Sequence, residues 1–289
     1  MLRRIVIGLF ALALSGCAFE LPRDSVVLTN KVVEAQKIKL GDKPTKEASL
    51  GAGYRYSVDN VPASFGTLHT MLVESDAQKP LIVFCGGNLF REEGVGGYTA
   101  EALTPFGDVL FYDYPGYGTS GGDGTRADFA EAERVMKTKV EALALSRPSV
   151  IFWGHSLGGG ICSSLAAHTN VKSALVLAGT FGSYEDIKDD MLGLASGLVT
   201  MKPAEDLITY EAPVLLKDYS GPIVVLALTE DETIPYGVSK TLAKKLEAEG
   251  KKVVFVTLKG KGHSRIHSHP DFRAKMTEGF KSAGVAIAP

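Results

Sequence analysis

A strand–turn–helix signal around Ser156 constrains this 289-residue chain more than any other feature. An apolar, β-branched run over 149–153 stops at Gly154, and a helical pattern begins just after the serine. So tight a turn strains the serine backbone and leaves no room for neighbouring side chains, which requires glycine on both sides. The sequence Gly-His-Ser-Leu-Gly over 154–158 therefore predicts a nucleophile elbow, with the N–H of Leu157 free to bind an oxyanion. A glycine-rich turn with an incidental serine is the alternative.

The first sixteen residues have the pattern of a signal peptide. Two arginines precede an apolar run over 5–14, which is too short to span a bilayer and has the proportions of a signal h-region. The residues Leu-Ser-Gly-Cys over 14–17 resemble the lipobox of bacterial lipoproteins. That resemblance implies cleavage before Cys17 and lipidation of its thiol and its new amino group. A plain secretory signal with an incidental cysteine is the alternative.

A lipidated Cys17 would anchor the protein to a membrane, because several acyl chains together hold a bilayer more stably than one chain. Ala18 after the cysteine resembles an outer-membrane sorting signal, which implies a bacterial envelope protein that faces the periplasm. Residues 20–50 are largely polar and lysine-rich with little periodicity, so we expect a tether over 17–50 with at most one short helix. The folded domain is then predicted over 51–289.

Composition excludes one class of partner and permits a large core. A formal net charge of −2 offers no basic face, so we expect no nucleic-acid partner. Apolar residues make up 45% of the chain, which is enough for a substantial core. Cys85 and Cys162 lie in apolar surroundings and are interpreted as buried small hydrophobic residues, although a disulfide between them stays open.

Strand and helix patterns alternate along most of the chain. Helical spacing is found over 127–145 and 157–168. Strands are predicted at 54–58, 65–73, 81–85, 108–112, 173–177, 222–228 and 252–258. The first two are expected to form a hairpin that turns at Asp59-Asn60-Val61-Pro62. Alternation of this kind favours an α/β protein whose mostly parallel sheet is covered by helices on both faces.

The segment after the strand at 108–112 contains a glycine pattern with two interpretations. Residues 116–121 satisfy G-x-G-x-x-G, but no helix opens directly from the last glycine, which argues against a dinucleotide site. Residues 113–120 instead resemble the D-x-x-G-x-G-x-S loop of the α/β-hydrolase superfamily. With this loop and the elbow taken together, the chain is similar to the small-lid serine-hydrolase branch of that superfamily, which includes lipid-modifying esterases and thioesterases. The resemblance covers roughly residues 54–280.

The resemblance assigns roles to three further residues and to one segment. In the turn Gly86-Gly87-Asn88, Asn88 would supply the second oxyanion donor, with Leu89 as the next candidate, although Gly86 stands where the family usually has histidine. Asp231 opens Asp-Glu-Thr-Ile-Pro, which resembles the family's acid loop, and His263 ends Gly-Lys-Gly-His, which resembles its loop for the base. The family's short helical lid would occupy about 183–213. Asp186 is the competing acid, because some members of the fold take the acid from an earlier loop.

The resemblance implies hydrolysis of an ester or thioester with an acyl or lipid-like group, through an acyl-enzyme on Ser156. It implies neither a cofactor nor a metal. Amide or peptide hydrolysis stays open, and so does a catalytically silent envelope protein that uses the fold for binding or assembly. Zinc binding by His263, His267 and His269 is disfavoured, because these residues lie on a loop.

Overall fold

The computed structural model describes residues 18–40, 53–75 and 78–287. The predicted signal peptide and Cys17 lie outside the described residues. Within them, no helix combines the length and the apolar character needed to cross a membrane.

An eight-stranded sheet forms the centre of the molecule, with the strand order β10-β9-β7-β6-β4-β5-β3-β2. The strands from β5 to β10 along this order run parallel, whereas β3 is antiparallel to both β5 and β2. A separate two-stranded sheet pairs β1 with β8 in parallel. The strands are β1 (Ala18–Leu21), β2 (Tyr54–Ala63), β3 (Gly66–Ser75), β4 (Leu81–Cys85), β5 (Asp108–Tyr112), β6 (Val150–His155), β7 (Ser173–Ala178), β8 (Thr200–Pro203), β9 (Ile223–Leu228) and β10 (Val253–Leu258).

Helices cover both faces of the sheet. They are α1 (Asn30–Ala35), α2 (Glu92–Leu103), α3 (Arg126–Ala144), α4 (Gly158–His168), α5 (Tyr184–Leu192), α6 (Ala212–Leu215), α7 (Tyr236–Ala248) and α8 (Phe272–Ala283). Helices α3, α4 and α7 contribute side chains to one core cluster, and α2 and α8 contribute to the other. Neighbouring residues of the central strands alternate between the clusters, so Phe152 packs in the first and Trp153 in the second. The predicted α/β architecture is confirmed.

The hairpin is present, but its turn is not where the sequence suggested. Strand β2 continues through Asp59-Asn60-Val61-Pro62, and the chain turns at residues 64–65 instead. Proline is tolerated here because β2 is the edge strand of the sheet, where every second N–H points away from the only partner strand.

The two cysteines of the domain form a disulfide, which corrects their interpretation as free buried thiols. Cys85 ends β4 and Cys162 lies in α4, with 5.8 Å between their Cα atoms. The pairing depends on β4 lying next to β6, because α4 follows β6 and packs against β4. The disulfide could therefore be assigned only once the strand order was known.

The described part of the predicted tether is packed against the domain. Val27 and Leu28 are buried in separate clusters, and β1 pairs with β8 from Ala18 to Leu21. The expectation of a tether over 17–50 is therefore wrong for residues 18–40; residues 41–50 lie outside the described part. Residues 18–40 have their apolar side chains in short runs, and those at 26–28 and 32–33 are buried in the folded protein.

Candidate active site

Ser156 has the elbow conformation that the sequence predicted. Its φ is +55°, a left-handed value that only one other described non-glycine residue, Lys37, shares. A Cβ on Gly154 would lie 2.4 Å from the carbonyl oxygen of Gly158. A Cβ on Gly158 would lie 2.0 Å from the carbonyl oxygen of Cys85. Both glycines are therefore required by the close approach of β6, α4 and β4.

His263 and Asp231 are brought together from the ends of β10 and β9. His263 Nδ1 lies 2.8 Å from Asp231 Oδ2, and the two side chains are 10% and 1% exposed. The other carboxylate oxygen accepts hydrogen bonds from the N–H groups of Thr233 and Ile234, both at 2.8 Å. The carboxylate is thus held on both sides. Bonding at Nδ1 leaves Nε2 as the ring nitrogen available for proton transfer.

Two residues that sequence reasoning missed support this pair. Gly179 follows β7 with φ +51°, and a Cβ there would lie 3.3 Å from both Asp231 Oδ2 and His263 Nδ1. Glu232 Oε2 accepts hydrogen bonds from the N–H groups of Gly262 and His263, at 3.0 and 3.5 Å. Donation from Gly262 is the main cause of the lowered pKa of Glu232.

Asp186, the competing acid, does not pair with His263. It lies in α5, where its Oδ1 is 2.5 Å from Lys245 Nζ. The zinc alternative also finds no supporting geometry, because the described residues contain no group of three or more histidine, cysteine or acidic side chains arranged to hold a metal. His267 Nε2 instead accepts a hydrogen bond from Trp153 Nε1 at 3.0 Å.

Ser156 and His263 line one cavity of about 530 Å³. The hydrogen bonds of the described residues include none between the two side chains, a separation that is common before substrate binds. Apolar and aromatic residues form much of the wall, notably Leu28, Leu40, Phe84, Phe90, Val95 and Tyr98.

None of the described residues that line this cavity comes from 183–213, the predicted lid. That segment packs instead among the core residues of α4 and α7, for example through Leu207 and Tyr184. The expectation of a lid over the site is thus corrected for this cavity. Residues 18–40 provide part of the wall in its place.

The turn after β4 is held without the histidine that the family usually has. A Cβ on Gly86 would lie 2.3 Å from Cγ of Phe90, so the phenylalanine ring occupies that space. Tyr114 Oη donates to the carbonyl oxygen of Gly86 at 2.7 Å, and the N–H of Phe90 closes the turn onto the carbonyl of Gly87 at 2.9 Å. Asn88 is left lining the cavity.

The main-chain N–H groups of the two predicted oxyanion donors have no acceptor within the described part of the chain. Among the hydrogen bonds of the described residues, none uses the main-chain N–H of Asn88 or of Leu157. Leu157 is the residue immediately before α4, where free N–H groups and the helix dipole favour negative charge.

A second histidine, His155, contacts His263 directly. His155 Nε2 lies 3.0 Å from the main-chain oxygen of His263, and the two rings are 4.8 Å apart. Burial lowers the pKa of His155 well below its ordinary value and lowers that of His267 to about 3. Both rings are therefore neutral near pH 7, so neither adds a positive charge beside His263.

Comparison with known proteins agrees with this architecture. The sequence profile of the family described as the alpha/beta hydrolase fold matches residues 88–202. An esterase from Pyrococcus furiosus superposes with a TM-score of 0.62 at 10% identity, covering 84% of this chain and 95% of that one. Carboxyl esterase 2 from the fungus Tuber melanosporum gives a TM-score of 0.60 at 13% identity, with coverages of 89% and 98%. The chain has the α/β-hydrolase fold.

A further α/β-hydrolase-fold structure is similar at this level. XC6422 from Xanthomonas campestris, described as a serine hydrolase without a lid, gives a TM-score of 0.56 at 16% identity and covers 86% of this chain and 100% of that one. The search of curated protein sequences gives no match.

The α/β-hydrolase fold explains why these residues meet. Asn88, Ser156, Asp231 and His263 follow the carboxyl ends of β4, β6, β9 and β10. Because those strands are parallel, their carboxyl ends share one edge of the sheet, which is where open α/β sheets bind ligands.

Proposed function

We propose that the protein is a serine hydrolase that cleaves carboxylic ester or thioester bonds through a Ser156–His263–Asp231 triad. One observation carries the proposal: a serine with a strained elbow backbone lines the same cavity as a histidine held by a buried carboxylate. Each group alone has a structural explanation. Their convergence at one edge of the sheet is the arrangement that nucleophilic catalysis requires.

The proposed reaction begins with attack of Ser156 Oγ on the acyl carbon while His263 Nε2 takes the hydroxyl proton. Asp231 holds the Nδ1–H and stabilises the imidazolium. The N–H groups of Leu157 and Asn88 donate to the developing oxyanion. As the bond to the leaving group breaks, His263 returns the proton to its oxygen or sulfur. Water then attacks the acyl-enzyme by the same steps, releasing the acid and restoring Ser156.

An acyl or otherwise apolar substrate fits the character of the cavity. Its volume of about 530 Å³ lies within the range of sites for small molecules. Phe84 and Phe90 line the cavity together with Leu28 and Leu40, which come from residues 18–40. The esterases among the similar structures support an ester substrate, and an acylaminoacyl peptidase from Pyrococcus horikoshii among them keeps amide hydrolysis open.

A fluorophosphonate probe tests this function. The wild-type chain should be labelled at Ser156, and Ser156→Ala should remove both labelling and turnover of short esters. Ser264→Ala is the matched control, because Ser264 is an exposed serine on the wall of the same cavity. A folded wild type that is neither labelled nor active would favour the catalytically silent alternative. A panel of ester, thioester and amide substrates then distinguishes the bond that is cleaved.

We also propose that lipidated Cys17 anchors the protein to a bacterial membrane, with the outer membrane expected from Ala18. The support is the lipobox-like sequence over 14–17. Cys17→Ser should leave an uncleaved, unlipidated precursor. Mass spectrometry that finds wild-type Cys17 unmodified, or cleavage beyond it, would exclude the anchor.

A further inference from the structure

The N-terminal segment, residues 18–40, covers the cavity on one side. Ser25, Leu28, Lys39 and Leu40 all line the cavity that contains Ser156. Leu28 is only 3% exposed and packs with Val32, Val33, Ile38 and Leu40 as a small cluster. The segment therefore has an apolar core of its own at the edge of the candidate active site.

Arg91 links this segment to the turn that carries Asn88. Its Nη1 donates to the main-chain oxygens of Phe90 at 3.1 Å and Asn88 at 3.5 Å. Its Nη2 donates to the carbonyl oxygen of Leu28, and its Nε donates to Asn30 Oδ1 at 3.2 Å. A guanidinium suits this role because its five N–H groups form a rigid, planar fork.

The Arg91 side chain is buried, and its guanidinium group stacks on a ring in addition to donating hydrogen bonds. The residue is 3% exposed, and its guanidinium carbon lies 3.9 Å from the centre of the Tyr117 ring. Such a stacked cation is worth more when it is removed from water. Few other arrangements of this side chain would satisfy its donors, so the turn and the segment are fixed relative to each other.

Asn30 extends the link to the loop that follows β5. Its Nδ2 donates to the carbonyl of Gly118 at 2.7 Å, and its Oδ1 accepts from the N–H of Gly118 at 3.1 Å. The N–H of Asn30 donates to the carbonyl of Gly116 at 2.8 Å. The segment is thereby joined to two of the loops at the active edge of the sheet.

We propose that residues 18–40 take part in the active site in two ways. Their hydrogen bonds to Arg91 hold that side chain where it positions the turn that carries Asn88. Their residues Leu28 and Leu40 form a wall that contacts the apolar part of the substrate. This inference rests on the proposed hydrolase function. The turn has one internal hydrogen bond, from the N–H of Phe90 to the carbonyl oxygen of Gly87, whereas the carbonyl oxygens of Asn88 and Phe90 are held by Arg91. Arg91 is a positioning residue, because it acts on the oxyanion through the orientation of Asn88.

Arg91→Lys in the full-length, detergent-solubilised protein tests the positioning role. An ammonium group cannot reproduce the planar fork, so the N–H of Asn88 should lose its fixed direction. Complete loss of an oxyanion donor costs about 10²–10³ in kcat, so a loosened donor should lower kcat by roughly 10- to 100-fold. KM for a short ester should change less than about threefold, because the lost contact forms only in the transition state.

Arg126→Lys is the matched control. Arg126 likewise donates two hydrogen bonds to a main-chain carbonyl, that of Leu207, at 2.9 and 3.3 Å, and it does not line the cavity. Its kcat should stay at the wild-type value. Asn30→Ala provides a second, exposed site in case Arg91→Lys fails to fold, and it should lower kcat by a smaller factor, again with little change in KM.

Leu40→Ala tests the wall. Removing this half-buried side chain enlarges the cavity, so the preferred acyl-chain length in an ester panel should shift to longer chains. Leu143→Ala, which removes another half-buried leucine from α3 away from the cavity, should leave the preference unchanged.

The outcomes separate this inference from the function on which it rests. An unlabelled, inactive wild type overturns both. If wild type is active while folded Arg91→Lys and Asn30→Ala match Arg126→Lys in kcat, and Leu40→Ala keeps the wild-type chain preference, the N-terminal segment has only a structural role. A drop in kcat without a rise in KM, together with an altered chain preference, supports the inference.

Discussion

Asp231→Asn is the change whose effect the structure defines most closely. Asp231 Oδ1 accepts two main-chain hydrogen bonds, from Thr233 and Ile234, at 2.8 Å each. In the asparagine variant these two N–H donors require an acceptor, so the amide oxygen takes the position of Oδ1. The amide NH₂ group must then occupy the place of Oδ2, where it faces Nδ1 of His263.

A donor at that place reverses the tautomer of His263. Nδ1 has to accept the amide hydrogen, so the ring proton moves to Nε2, which then has no lone pair for the Ser156 proton. The same change in a serine protease lowers kcat by about 10⁴-fold, and we expect a similar loss here. At 1.36 kcal/mol for each factor of ten, this corresponds to about 5.5 kcal/mol of transition-state stabilisation.

Ester turnover at saturating substrate is the assay, with urea unfolding to show that the variant is folded. Both main-chain hydrogen bonds survive, so stability should change far less than activity. Glu230→Gln is the matched control, because Glu230 is an exposed acidic residue immediately before Asp231. Its kcat should change by no more than a few-fold. A folded Asp231→Asn variant whose kcat lies within tenfold of the wild-type value would refute the assignment of the acid. An equal loss of kcat in Asp186→Asn would refute it as well.

Three further predictions concern the surroundings of the site. The disulfide between Cys85 and Cys162 closes a loop with a sequence separation of 77, so replacing both cysteines by alanine should lower the free energy of unfolding in urea by roughly 4 kcal/mol. The pKa of His267 is lowered to about 3, so its contribution to stability should be fully present above about pH 6.5 and be lost at about 1.4 kcal/mol per pH unit as the pH drops towards 3. His155, whose pKa is also lowered, adds a slope of the same sign. His267→Gln should therefore reduce the slope in urea titrations by about 1.4 kcal/mol per pH unit, and an unchanged slope would contradict this contribution. Gly158→Ala should sharply lower ester turnover, because its Cβ would lie 2.0 Å from the carbonyl oxygen of Cys85; activity near the wild-type value would show that α4 can move without cost.

Short-range patterns in the sequence determined the architecture and located the main candidate residues. The elbow at Ser156 is readable because a strand, a tight turn and a helix impose their requirements on consecutive residues. Most buried strands could be placed for the same reason, and β4 and β5 have the predicted bounds. Asp231 and His263 were found by resemblance, because each lies in a short loop motif after a strand.

The sequence by itself thus determined an α/β chain with a serine elbow and candidate acid and base loops. Only the tertiary structure decided which distant segments meet: the disulfide, Gly179 beneath the Asp231–His263 pair, and Phe90 in place of a histidine. It also decided that residues 18–40 pack on the domain and that the predicted lid does not line the cavity. The physical reason is that such contacts depend on strand order and on complementary surfaces. These bring together residues far apart in the chain, whereas sequence patterns report only on neighbours.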